Sequence, residues 1–398
     1  MYLCPMEKRN IPRTLLLPDR SFFLFGPRGI GKSTWLRTVL PDAFFVDLLN
    51  TSLYLELSQH PDRLEAMIGH VPEGGWVVID EIQKIAALLD EVHRLMETRR
   101  WLFALCGSSA RKLRRGGTNL LAGRAVTRDM EAFCSAELQE GFDLDFSCQW
   151  GMLPLVQQDR QNAVDILSSY FNTYIKEEIK EENIIRSLPP FLRFLGIAGL
   201  LNGQQVNGQS IAREASVPRS NVDVYFSILV DTLLGHFLPA YRPKAKVREQ
   251  SHPKFYWFDT GVARVAAGLL HDPIDRHLLG SALETLIFHE LRVYNQVSGQ
   301  DRPLYYYRTG TGVEIDFIIE TKKGLPHSAA HVVCLEVKLA GKWDRKWEKP
   351  MQGLKASGTV EVDGMYGIYT GPERYLYDGV QVLPVNTFLE LLYQGKIY

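Results

Sequence analysis

Eight consecutive residues, Gly26-Pro27-Arg28-Gly29-Ile30-Gly31-Lys32-Ser33, have the composition and spacing of a loop that cradles phosphate. Its glycines let the backbone aim N–H groups at an anion. A helical pattern running from Thr34 to Val39 presents its positive N-terminal end to the same charge. In that arrangement Lys32 reaches the β- and γ-phosphates of ATP, and the Ser33 hydroxyl is a ligand for Mg²⁺. A second segment, Trp76-Val77-Val78-Ile79-Asp80-Glu81, reads as a buried strand ending in two carboxylates. Asp80 suits the Mg²⁺ shell, and Glu81 suits the polarisation of an attacking water. A third apolar run, Leu102–Cys106, leads into Gly107-Ser108-Ser109. Either serine can sense the γ-phosphate, and Ser109 equally suits a helix N-cap.

Two further groups of residues carry chemistry. Glu284 lies in a helical pattern, Glu314-Ile315-Asp316 on one strand pattern and Glu336-Val337-Lys338 on the next. Residues two apart on a strand share a face, so Glu336 and Lys338 point together and Asp316 can join them. Carboxylates so placed hold a divalent metal, a second one besides the Mg²⁺ of ATP, while the lysine positions a water. In the middle of the chain, Gln209–Ala215 and Pro218–Leu233 read as helix, turn, helix, with Arg219, Ser220 and Asn221 at the exposed start of the second helix. Short polar and basic residues there are what a DNA-reading helix presents. Arg242, Lys244, Lys246, Arg248 and Lys254 crowd the stretch behind it, a surface suited to phosphate contacts. The same helix pair also fits simple packing between neighbouring parts of the chain.

The elements that must position these groups fall into three textures. Residues 20–130 alternate apolar runs (Ser21–Phe25, Ala43–Asp47, Trp76–Asp80, Leu102–Cys106, Ala125–Arg128) with helical stretches, as a parallel α/β sheet does. Residues 155–240 read mostly as helix, including a long amphipathic pattern over Ala163–Ile185. Residues 275–395 mix a helix at Ser281–Gln296 with strands Leu304–Arg308, Glu314–Glu320 and Val332–Lys338. The expected domains are therefore 1–150, 151–270 and 271–398.

Composition narrows the classes. With 398 residues, 45% of them hydrophobic and 23% charged, the chain has apolar content for more than one core, which excludes wholesale disorder. The 45 basic residues against 46 acidic ones leave a net charge of −1, so nucleic-acid binding must come from local patches. Five scattered cysteines suit neither a disulfide framework nor a zinc module, and they point to a reducing cytoplasm. No apolar stretch is long enough to span a bilayer, and none reads as a signal peptide.

The segment Phe22–Arg128 resembles the AAA-type P-loop ATPases of the AAA_14 family, which are paired with a DUF4143 domain. The stretches that carry the likeness are GPRGIGKST, VVIDEIQK, CGSSARKL and LAGRA, and later YIKEEIKEE, YFSILVDTLL, PKFYWFDTGVAR and the EIDF and EVK pair. The resemblance spans roughly residues 15–370. It implies ATP and Mg²⁺ as cofactors and a homo-oligomer, a hexamer by family likeness. In oligomeric ATPases an arginine just before the fifth strand reaches the neighbour's nucleotide. Arg124 holds that position, with Arg111, Arg114 and Arg115 as rivals. The middle region resembles a winged helix. The set Glu284, Asp316, Glu336 and Lys338 resembles a PD-(D/E)xK nuclease, with Glu284 as its helical acid.

The expected fold is thus α/β: a P-loop AAA-type ATPase with a helical lid, a winged helix and a nuclease-like α/β C-terminal domain. The expected function is an ATP-driven cytoplasmic machine that moves on or remodels duplex or branched DNA. A nucleotide-controlled signalling switch and an ATP-licensed metal-dependent endonuclease are the alternatives.

Overall fold

A computed structural model describes residues 11–108, 113, 121–175, 187–243, 252–325 and 327–398. Ser109, Arg111, Arg114, Arg115, Lys244, Lys246 and Arg248 lie outside the described residues, as does most of YIKEEIKEE.

The N-terminal part is a parallel sheet flanked by helices. Its strands are β1 (Phe22–Phe25), β2 (Phe44–Asp47), β3 (Trp76–Asp80), β4 (Leu102–Gly107) and β5 (Val126–Asp129). They lie side by side in the order β2-β3-β4-β1-β5. Burial alternates along the strands. Phe22, Leu24, Val78, Ala104 and Cys106 enter one core, and Phe23, Phe25, Val77, Ile79, Phe103 and Leu105 enter the other. A strand buried on both faces reads as a continuous apolar run, which is why these segments carry so few polar residues. Helices α1 (Lys32–Val39), α2 (Thr51–Gln59), α3 (Arg63–Ile68) and α4 (Leu88–Arg99) connect the strands.

Short helices α5 (Ser135–Leu138), α6 (Leu144–Trp150), α7 (Pro154–Gln158) and α8 (Ala163–Ser169) follow. Of the amphipathic pattern expected over Ala163–Ile185, Ala163–Ser169 is α-helical and Tyr170–Ile175 is a π-helical turn, and the rest lies outside the described residues. Next come α9 (Leu188–Leu200), β6 (Gln204–Gln205), α10 (Gly208–Glu214), α11 (Arg219–Asp231), β7 (Gly235–Leu238) and β8 (Lys254–Trp257). The three strands form an antiparallel sheet in the order β6-β8-β7. Asn207 caps α10 by accepting from the backbone N–H groups of Gln209 and Ser210. Pro218 takes the cap position of α11. Val222, Tyr225, Phe226 and Leu229 turn inward.

After α12 (Thr260–Ala266), capped by Asp259, the C-terminal part opens with the long helix α13 (Arg276–Ser298), capped by Asp275. Strands β9 (Leu304–Arg308), β10 (Glu314–Lys322), β11 (His331–Lys338), β12 (Glu361–Tyr369), β13 (Tyr375–Tyr377) and β14 (Val380–Pro384) make a mixed sheet. β9, β10 and β11 pair antiparallel, whereas β12 lies parallel to β11 after the crossover helix α14 (Lys349–Ala356). Helix α15 (Val385–Tyr393) closes the chain against α13.

The cores do not break at residue 150. One apolar cluster runs from β1 through α7 and α8 into α9 and α11, and another joins Ala132, Phe133, Cys148 and Met152 to α13 and the C-terminal sheet. Buried Glu290 on α13 fastens that junction, accepting from the Ser135 N–H at 2.8 Å, the Ser135 hydroxyl at 3.0 Å and the Tyr393 hydroxyl at 2.8 Å. Among the described residues, no helix is long and apolar enough to cross a membrane.

Candidate nucleotide site

The glycine-rich loop joins β1 to α1, as its spacing requires. Gly31 caps α1 with φ of 91°, a left-handed conformation that a side chain would strain. Lys32 is buried, and its Nζ donates to the carbonyls of Gly26 at 2.7 Å and Pro27 at 2.9 Å, which folds the loop around it. The ring of Tyr170, from the π-helical turn, packs over Gly29, where an added Cβ would lie 3.3 Å from it. The Tyr170 hydroxyl donates to the Arg28 carbonyl at 3.0 Å.

The carboxylates at the end of β3 arrive from the neighbouring side of the sheet. Ser33 Oγ donates to Asp80 Oδ2 at 2.6 Å, so the two expected Mg²⁺ ligands are adjacent. Both are hard oxygen donors, the kind Mg²⁺ takes, and the pair fits a phosphate-bound Mg²⁺. Glu81 sits in the left-handed region at φ 60°. Its carboxylate accepts from Gln83 Nε2, and the same nitrogen donates to Ser108 Oγ at 3.2 Å. Gln83 is thus the link between strand-end acid and serine, and it was not among the residues expected from sequence. Behind Asp80, burial first and then the carboxylate itself push the Cys106 thiol well above its ordinary range, so it stays protonated.

Residues 28–34 of the loop, with Asp80 and Glu81, line a cavity of about 480 Å³. Its far end is made by residues that no motif marks: Ile11, Pro12, Arg13, Phe133, Pro154, Leu155 and Gln158. Arg13 ties this end to the loop, donating to the Ile30 carbonyl at 2.8 Å and the Glu131 carbonyl at 2.6 Å while its guanidinium lies 4.9 Å over the Phe133 ring. A basic residue in a segment without periodicity gives no signal in sequence. A larger cavity, about 750 Å³, lies between β5, β7 and α13, away from the phosphate loop.

Arg124 is exposed just before β5, with Nε 2.5 Å from Glu97 Oε1. Arg219 and Ser220 are exposed at the start of α11, and Asn221 is half-buried. Arg219 pairs with Asp223 at 2.6 Å. Arg242 is exposed. Lys254 differs from the expectation of a basic surface: it is 4% exposed and turned into the C-terminal part.

There the strand residues of the second group do come together. Asp316 Oδ2 accepts from the Val337 N–H at 2.8 Å and from Lys338 at 3.2 Å, and Lys338 lies 2.6 Å from Glu336. Burial pushes the Glu336 carboxyl up to about 8, with Asp316 adding to it. The expected ligand set Glu284, Asp316 and Glu336 does not assemble as one. Glu284 faces Lys254 at 2.9 Å and accepts from the Tyr256 hydroxyl. Among the described residues no group of three His, Cys, Asp or Glu side chains is arranged to hold a metal ion.

Comparison with known proteins fits this geometry. Residues 18–139 match the family described as an AAA domain (AAA_14), and residues 279–388 match a domain of unknown function, DUF4143. The chain thus carries an AAA-type P-loop domain followed by a DUF4143 domain. Residues 142–272 match a further domain of unknown function, DUF8612. Among solved structures, the Orc1 protein of Aeropyrum pernix in complex with DNA aligns at 12% identity, over 67% of this chain and 86% of that one, with a TM-score of 0.29. No curated protein sequence matches the chain.

Proposed function

We propose that this AAA protein hydrolyses ATP and uses the cycle to move on or remodel DNA. The observation that carries the reading is the Ser33–Asp80 hydrogen bond beside a phosphate loop folded on Lys32. ATP would supply the phosphoanhydride, and a Mg²⁺ held by Ser33 and Asp80 would screen its charge. Lys32 leaves its two carbonyl partners for the β- and γ-phosphates. Ser33 and Asp80 hold the metal. Glu81 orients water, with Gln83 fixing its carboxylate and Ser108 or Ser109 reading the γ-phosphate. The backbone from Gly26 to Thr34 wraps the phosphates. Arg124 serves the neighbouring subunit of a homo-oligomer, a hexamer in this reading.

DNA contact is supported by the middle region. Its order of helix, strand, helix, helix, strand, strand is that of a winged helix. Arg219, Ser220 and Asn221 begin the second helix of the pair, and Arg242 leads into the basic segment with Lys244, Lys246 and Arg248. The test is ATPase activity titrated with single-stranded, duplex and four-way-junction DNA. Stimulation by one of these supports a DNA-driven cycle. A rate indifferent to all three removes DNA from the reading and leaves a nucleotide switch.

A further inference from the structure

The C-terminal carboxylates meet a cation that belongs to the chain itself. Lys254 and Tyr256 stand two apart on β8 and share one face, which is turned toward α13 and β10. Lys254 Nζ lies 2.9 Å from Glu284 Oε1 and 2.7 Å from Glu314 Oε1, and the Tyr256 hydroxyl donates to the same Glu284 oxygen. Glu314 opens β10, so the ammonium stands between an acid of the helix and an acid of the strand. We infer that Lys254 occupies the place a divalent metal would take, and that the cluster is an electrostatic clasp between the three-stranded sheet and the C-terminal domain rather than a metal-dependent cleavage centre.

Geometry and charge support this. The β8 backbone is paired on both sides, to β6 and to β7, and its neighbour Phe255 is buried. The lysine is therefore anchored, and its head cannot leave the carboxylates without stranding a buried charge. Four carboxylates (Glu284, Glu314, Asp316, Glu336) already face Lys254, Lys338 and Arg308 at 2.6–3.3 Å. A dication added to this set would be repelled by an ammonium already bonded to two of its ligands. Metal entry and the contact between β8 and α13 are mutually exclusive.

The test uses the full chain without nucleotide or DNA, so its failure is separate from that of the ATPase reading. Mn²⁺ uptake is followed by electron paramagnetic resonance for the wild type, Asp316→Asn, Lys254→Met, and Lys254→Met with Asp316→Asn. Wild type and Asp316→Asn are expected to take up the same Mn²⁺. Lys254→Met is expected to gain about one Mn²⁺ per chain, lost again when Asp316→Asn is added. Uptake by the wild type that Asp316→Asn abolishes overturns the inference, whether or not Lys254→Met folds. A folded Lys254→Met that gains no Mn²⁺ overturns it as well.

Discussion

Gln83 holds Ser108 at 3.2 Å with the same amide nitrogen that it gives to Glu81. Two residues at the ends of adjacent strands, of which Glu81 lines the cavity, thus share one donor.

Because a carboxylate displaced by about 1 Å can cost about 10²-fold in rate, Gln83→Ala should lower kcat by that order while ATP affinity stays near the wild-type value. Lys32→Ala should instead lose affinity, and Glu81→Gln should bind ATP and stall. Fluorescent-nucleotide binding beside a phosphate-release assay separates the three. Wild-type turnover by Glu81→Gln would remove Glu81 as the group that orients water.

Among Lys32, Ser33, Asp80 and Glu81 only Lys32 brings positive charge to the phosphates, and a further cation on the transferred phosphoryl group is worth about 10³ to 10⁵ in rate where an arginine supplies it. Arg124→Ala should therefore bind ATP and hydrolyse it poorly. Mixing it with Glu81→Gln should restore activity at boundaries where an intact Glu81 meets an intact Arg124. A mixture as inactive as its parents would leave Arg124 as a surface charge paired with Glu97.

Reversing Arg242, Lys244, Lys246 and Arg248 to acids should weaken binding to all DNA sequences alike. The salt dependence should flatten by about one unit of slope per lost phosphate contact. An unchanged slope relocates the DNA surface.

Glu290 links stability to pH. Burial raises its carboxyl from 4.5 to about 7 despite three donors, and burial raises Asp259 to about 6. The folded chain holds the Glu290 proton more tightly than the unfolded chain does. Stability from this group is fully present below the unfolded pKa and falls as pH rises through about 7. The loss is about 3 kcal/mol if the shift is expressed in full. Glu290→Gln keeps an acceptor for Ser135 and has no proton to lose. Its melting temperature should decline less than that of the wild type between pH 5 and pH 8, and parallel declines would contradict the assignment.

The nucleotide end of the fold was legible in sequence because its signals are local. An apolar strand, a glycine loop and a helix start follow one another in the chain, and β3 carries its acids at its own end. Lys254 was illegible for the opposite reason. It follows the basic stretch that ends at Arg248, and only tertiary packing brings it to Glu284, 30 residues on. Arg13 likewise acts on Glu137 across 124 residues. Within the helix expected over Ala163–Ile185, periodicity gave no sign that the winding changes at Tyr170, the residue that touches the phosphate loop.

That π-helical turn has a mechanical meaning. A π turn carries surplus chain within a helix, and an α-helix advances about 100° per residue. Tightening Tyr170–Ile175 into ordinary α-helix would rotate whatever follows by about that angle. Tyr170 begins the turn and rests on the Arg28–Gly29 peptide, so a shift of that peptide presses on the one stretch of π winding among the described residues. A displacement of the phosphate loop would therefore reach the π-helical turn directly, through Tyr170.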